Sequence, residues 1–187
     1  TEDLYYLQSE DKKDTIILPL ENRNKARKFS GVPKLFMHFP LIGSECWGCE
    51  FIYNSSRFRP TEKRDNLYLP DGNDNNIADA ETNKRVLVSM DDMLFNFLEF
   101  NVEKIENTIN LAPLYFNARH YEVPQTRDFI EKRQKDWCSI FTSLPLISTK
   151  KGRLAVVDKT QVLSVYDEEI VRFLSEDDNK KYTDVLY

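Results

Sequence analysis

Near residue 76 the apolar residues of this chain change their period. Downstream, Met90, Met93, Leu94, Phe97, Leu98, Val102, Ile105 and Ile109 recur at three- and four-residue spacing. That is one face of an α-helix about five turns long. Ser89 and Asp92 read as its N-cap and partner, and Pro113 as its stop. Upstream, apolar residues come in short runs: Thr15–Leu20, Pro33–Phe39, Cys49–Asn54 and Asn66–Leu69. The first, third and fourth of these read as strands, with Pro19 marking an edge or a strand end, and Pro33–Phe39 is an apolar run bounded by Pro33 and Pro40. Strands followed by long amphipathic helices predict an α+β fold, a mixed β-sheet with helices packed on one face.

Asp71–Asn76 reads as a turn or loop. A second helix is expected over 126–143, with Thr126 as its cap and Phe129, Ile130, Trp137, Ile140 and Phe141 on one face. A hairpin is expected from 153–157 and 161–166, a short helix over 167–174, and a charged, frayed tail after Ser175. The chain therefore divides into a strand-rich segment, 1–75, and a helical segment with a C-terminal hairpin, 76–187, packed as one domain. Its 187 residues suffice for a real core, and 41% hydrophobic with 30% charged residues is an ordinary globular composition.

The net charge of −5 argues against general nucleic-acid binding, although Arg23–Lys28 is a local basic cluster. No stretch has the length of a membrane helix and no signal peptide is visible. Three cysteines cannot build a disulfide framework, which points to a reducing, cytoplasmic setting. The start at Thr1 reads as a cut from a longer protein.

Cys46-Trp-Gly-Cys49 is a CxxC. Half a zinc site and a redox pair are its two chemical readings, against two partly buried thiols. Cys138, His38 and His120 lie far off in sequence, and a strand rather than a helix follows the motif. His38 reads as a core or edge histidine and His120 as solvated. Neither has triad partners. Glu45 and Glu50 flank the CxxC but are weak evidence for acid–base work. Phe95, Phe97 and Phe100 read as core. The five glycines, at 31, 43, 48, 72 and 152, are too scattered for a phosphate cradle. No catalytic residue is assigned.

One block carries more. Pro40-Leu-Ile-Gly-Ser-Glu45 is followed by Asn54-Ser55, Phe58 and Pro60-Thr-Glu-Lys-Arg-Asp65. It resembles a block just downstream of the nucleotide-binding domain in sacsin-like, heat-shock-chaperone-like ATPases of the GHKL superfamily. A second stretch, from Trp137 through Leu144-Pro-Leu-Ile-Ser-Thr149 to Gly152, resembles a later segment of that family. Two departures stand out: Cys46-Trp-Gly-Cys49 replaces aromatic and proline positions, and Lys63 replaces a commoner Glu. The resemblance implies a transducer layer like ribosomal-protein domain 2, of left-handed βαβ type, offering a cation to the terminal phosphate of ATP. Arg57, Arg59, Lys63 and Arg64 are the candidate phosphate contacts. Alternatively, Arg64 pairs with Glu62 or Asp65 and only anchors the loop.

The ATP pocket motifs themselves are missing, and Asp71-Gly72-Asn73 lacks the second glycine of a lid. The implied function is therefore a non-catalytic middle fragment that relays nucleotide state to a client or partner protein. The fragment holds no cofactor of its own; ATP and Mg belong to the parent, and the upstream ATP-binding domain is the first partner. Two alternatives stand beside this: an interaction scaffold without nucleotide coupling, and a CxxC redox or zinc protein.

Overall fold

In the computed structural model, which describes residues 5–22, 24–29, 31–47, 49–71, 74–111, 123–149 and 152–155, strands come first and helices follow. The described residues lie in the unit Thr1–Val157; the second unit, Asp158–Tyr187, falls outside them. The fold is α+β, with a mixed sheet and two α-helices.

Strands β1 (Tyr5–Gln8), β2 (Asp14–Leu18), β5 (Leu35–Met37), β6 (Phe39–Pro40) and β7 (Ile52–Ser55) form a five-stranded sheet in the order β1-β2-β7-β5-β6. All pairs are antiparallel except β5 with β7. The register pairs Ile16 with Tyr53 and Asp14 with Ser55, so these four side chains share one face. That face meets α1 (Ile77–Asn101) and α2 (Pro124–Ser143): Tyr53 donates to Asp91 at 2.8 Å, and the rings of Phe51 and Trp137 lie 5.9 Å apart. The hydrophobic core runs without a break from Ile16, Leu35 and Phe51 in the strand half to Leu87, Leu94, Trp137 and Phe141 in the helical half. A side ribbon of β3 (Leu20–Glu21) and β4 (Lys25–Ala26), and a hairpin of β8 (Ile147–Thr149) and β9 (Gly152–Leu154), are the other described strands.

Several elements differ from their expected limits. Helix α1 starts at Ile77, not at Ser89, because Ala78 and Ala80 are strong helix formers whose turns carry too few large apolar residues to show a period. It ends at Asn101; Val102–Lys104 tighten into a 3-10 turn and Ile105 is extended. Helix α2 begins with Pro124 in its first turn, so Thr126 does not cap it and instead donates to the Pro70 carbonyl at 2.5 Å. Strand β1 had no sequence expectation. Pro19 ends β2, which is an interior strand and not an edge. The expected strand at 66–69 is reduced to a single bridge, Pro60 to Leu67. A hairpin without a sequence expectation pairs Ile147 with Leu154; the expected pairing of 153–157 with 161–166 has its second arm, 161–166, outside the described residues. The helix expected over 167–174 and His120 also lie outside the described residues. Phe95 joins the core, whereas Phe100 is exposed.

Candidate functional site

The two parts of the Pro40–Asp65 block, some twenty residues apart in sequence, meet in space at one corner. Ser44 is buried and ties down the strand entry: its Oγ donates to the Leu41 carbonyl at 2.7 Å and accepts from the Lys34 and Leu35 amides at 3.0 and 3.1 Å. Gly43 before it has φ of 119°, a region that side chains rarely adopt. A Cβ there would stand 2.9 Å from the Asp65 carbonyl oxygen. The backbone of one loop thus rests directly on the backbone of the other. Trp47 adds a second link, its Nε1–H donating to Asn66 Oδ1 at 3.2 Å.

The loop 57–66 is closed on itself. Thr61 N–H donates to the Asn66 carbonyl at 2.9 Å, Arg64 N–H to the Thr61 carbonyl at 2.9 Å, and Thr61 Oγ1 to Asp65 Oδ1 at 2.7 Å. Helix α1 holds its base through Asn83, which is fully buried. Asn83 Oδ1 accepts from the Arg59 amide at 2.7 Å, and Nδ2 donates to the Arg59 and Tyr68 carbonyls, both at 2.8 Å. A buried amide with three such bonds is a fully employed side chain. Its sequence signal was an asparagine between Ala80 and Val86 on the inward stripe, and it was missed.

The four candidate cations separate into different roles. Arg57 binds buried Asp14, with Nε donating to Oδ1 at 3.1 Å and Nη2 pairing with Oδ2; Ser55 Oγ donates to the same carboxylate at 2.6 Å. Arg59 is about half exposed, sits 3.7 Å from Asp79 and donates to the Arg57 and Phe58 carbonyls. Arg64 is exposed at φ of 55°, and among the described residues its side chain donates only to the Met37 carbonyl, at 3.5 Å. Glu62 and Asp65 do not pair with it. Lys63 is exposed and makes no ion pair among the described residues. On the other loop of the corner, Phe39 and Ile42 are each 71% exposed, beside His38 at φ of 63°. Cations and bare apolar side chains therefore share one fixed corner.

A second polar cluster is interior. Arg133 of α2 forms a two-pronged pair with Asp91 of α1 at 2.8 and 3.0 Å, and the Tyr53 hydroxyl donates to the same carboxylate. The guanidinium lies 5.2, 5.5 and 5.3 Å from the rings of Trp47, Tyr53 and Trp137. Burial works against its charge, but the Asp91 carboxylate, with Tyr53 and Cys49 adding to it, more than offsets that and holds its pKa above the ordinary arginine value. Burial, with Asp91 adding to it, pushes the Tyr53 hydroxyl well up. Beneath the Phe29 segment, Lys34 and Glu50 form another buried pair at 3.5 Å, Glu50 accepting from the Phe29 amide and Lys34 donating to its carbonyl.

Cys49 lies in the same core. Its Sγ donates to the Phe51 carbonyl at 3.5 Å, and burial pushes its thiol up to about 11. A nucleophilic thiol needs the opposite shift. The ordinary value of a thiol is 9.0, so the unfolded chain ionises first as pH rises. Stability should be unaffected by this group below pH 9, fall between 9 and about 11, and level off above. The slope from this thiol is about 1.4 kcal/mol per pH unit. Denaturant melts of wild type and Cys49→Ala across that window check it: the two must diverge in slope only there. Among the described residues no group of three His, Cys, Asp or Glu could hold a metal ion. No described helix is long and apolar enough to cross a membrane.

Comparison of the chain with family models, curated proteins and solved structures found no match.

Proposed function

We propose that this chain is a non-catalytic transducer segment of a heat-shock-chaperone-like, sacsin-like ATPase, working in the cytoplasm between an upstream ATP-binding domain and a client or partner protein. ATP and Mg are bound by the parent. The observation that carries the reading is the contact of Gly43 with Asp65, which brings the two ends of the Pro40–Asp65 block together at one corner. That corner offers Lys63 and Arg64 to solvent, with Arg59 half exposed nearby. A cation on a preformed support is what stabilisation of a transferring phosphoryl group requires, since it costs no reorganisation at the moment of reaction. Arg57 is a weaker candidate, because removing it from Asp14 would leave a buried carboxylate unpaired.

The scaffold alternative draws on Phe39 and Ile42, which suit a protein partner whether or not nucleotide is involved. The redox alternative is disfavoured by the raised pKa of Cys49. The test is Arg59→Ala, Lys63→Ala and Arg64→Ala, each made in this chain and in the longer protein. Melting of this chain should be unchanged within about 0.5 kcal/mol, as for exposed positions generally. ATP turnover of the longer protein should fall about a hundredfold for the residue that meets the phosphate. Unchanged turnover for all three ends the transducer reading and leaves the scaffold.

A further inference from the structure

A groove runs between α1 and α2. Its first stretch, about 460 Å³, has Val88 and Phe95 of α1 and Phe129 and Ile140 of α2 in its walls. A second stretch, about 620 Å³, shares Phe95 and Ile140 and continues to Glu99 and Ser143. The two meet at Asp92, Phe95 and Ile140 and form one valley. The helices run in the same direction, since Asp91 meets Arg133 and Phe95 meets Trp137 one turn later on each. From Lys84 to Glu99 the valley follows α1 for about 22 Å at 1.5 Å per residue. Four turns of helix have that length.

Its floor is apolar: Val88 is 47% exposed, and Phe95, Phe129 and Ile140 are only partly covered by the core. Its rim is polarised. Lys84 and Lys132 flank the half nearer the start of the helices, and Asp92, Asp136 and Glu99 flank the other half. Among the described residues, Lys132, Asp92, Asp136 and Glu99 make no ion pair, so four rim charges stand unanswered, while Lys84 holds an exposed pair with Glu81 at 3.3 Å that a partner's carboxylate would share. Arg133 and Asp91, which also border the groove, neutralise each other. Beneath them Trp137 Nε1 is buried with no acceptor among the described residues.

We infer that this valley receives one amphipathic helix of a partner protein, apolar along one face, acidic at one end and basic at the other. Two neighbouring helices present ridges that a third helix fills, and an apolar stripe at i, i+3, i+4 and i+7 matches a floor of this length. The acidic end lies over Lys84 and Lys132, and the basic end over Asp92, Asp136 and Glu99. This inference rests on the groove alone and is independent of the nucleotide reading.

Three synthetic peptides of about four turns test it, each with the same leucine stripe and a lactam bridge to fix the helix. One is acidic at one end and basic at the other, one wholly acidic, one wholly basic. Binding is read by anisotropy of the labelled peptide and by the change in tryptophan emission, since Trp137 lies under the groove. The bipolar peptide should bind about tenfold tighter than either uniform one, the worth of a few surface ion pairs. In the Lys84→Glu, Lys132→Glu protein the preference should pass to the basic peptide, and Val88→Glu should weaken all three; thermal melting confirms that both variants fold. Equal affinities, no saturable binding in a folded protein, or a preference that ignores the charge reversal each overturn the inference. A concentration-dependent dimer dissolved by Val88→Glu also overturns it, because a second copy then covers the face.

Discussion

Arg133→Met should destabilise the protein by about 3–5 kcal/mol, the cost of leaving a buried charge without its partner. Arg133 and Asp91 are both close to fully buried, and Arg133 supplies two of the bonds to that carboxylate. The exposed surface of the same helix should behave differently: Lys132→Ala, one residue away, should stay within about 0.5 kcal/mol. The sharper result is the combination. Arg133→Met with Asp91→Leu and Tyr53→Phe removes every polar partner of the cluster together and replaces them with apolar groups of similar bulk. Such replacements of buried ion pairs are often neutral or better, so the triple variant should recover most of the loss. Urea melts of the single and triple variants decide this. If the triple variant is as unstable as the single one, the contacts of the guanidinium with the rings of Trp47, Tyr53 and Trp137 matter more than its pair with Asp91.

Gly43→Val should cost about 2–5 kcal/mol, from a strained backbone and from a side chain forced onto a neighbouring backbone. At φ of 119° a β-branched residue is a steric outlier, and its Cβ would meet the Asp65 carbonyl oxygen at 2.9 Å. A carbonyl in a closed loop has little room to yield. Gly31 supplies the control. It also has positive φ, 66°, but a Cβ there meets nothing within 4 Å. Gly31→Ala therefore carries the conformational penalty without the clash and should be about 1 kcal/mol. A thermal melt in which both glycine variants lose the same stability would show that the close approach contributes nothing.

The fold was legible to the extent that periodicity carried it. Met90, Leu94 and Leu98 marked α1, and Ile130, Trp137 and Phe141 marked α2. The first three turns of α1 were invisible because they carry few large apolar residues and follow an Asp/Asn-rich run that reads as loop. Residues 66–69 looked like a strand through Leu67 and Leu69, yet those side chains are buried by the corner and α1 rather than by a ladder. Of the candidate site, the motif residues were visible, but their roles were not. Nothing in the order Ser-Ser-Arg-Phe-Arg distinguishes Arg57, committed to Asp14, from Arg59, half in solvent; the difference lies in a carboxylate 43 positions earlier. The interior cluster escaped for the same reason. Asp91 and Arg133 each look like a surface charge on a helix until the two helices are set side by side.

The bond of Asp14 to Ser55 and Arg57 bears on how the sheet avoids pairing wrongly. In strands the side chains alternate, so sliding β2 by one residue against β7 would turn Asp14 to the opposite face and Thr15 toward the core. The apolar residues alone resist such a slip weakly, because Ile16 and Ile17 are neighbours and either can fill an inward place. The carboxylate makes the alternatives unequal: only the observed alignment gives it both a hydroxyl and a guanidinium, and every other alignment buries it unanswered or strands the arginine. A single acidic side chain at the first position of β2 thus acts as a key that selects one strand alignment from several that hydrophobicity would tolerate.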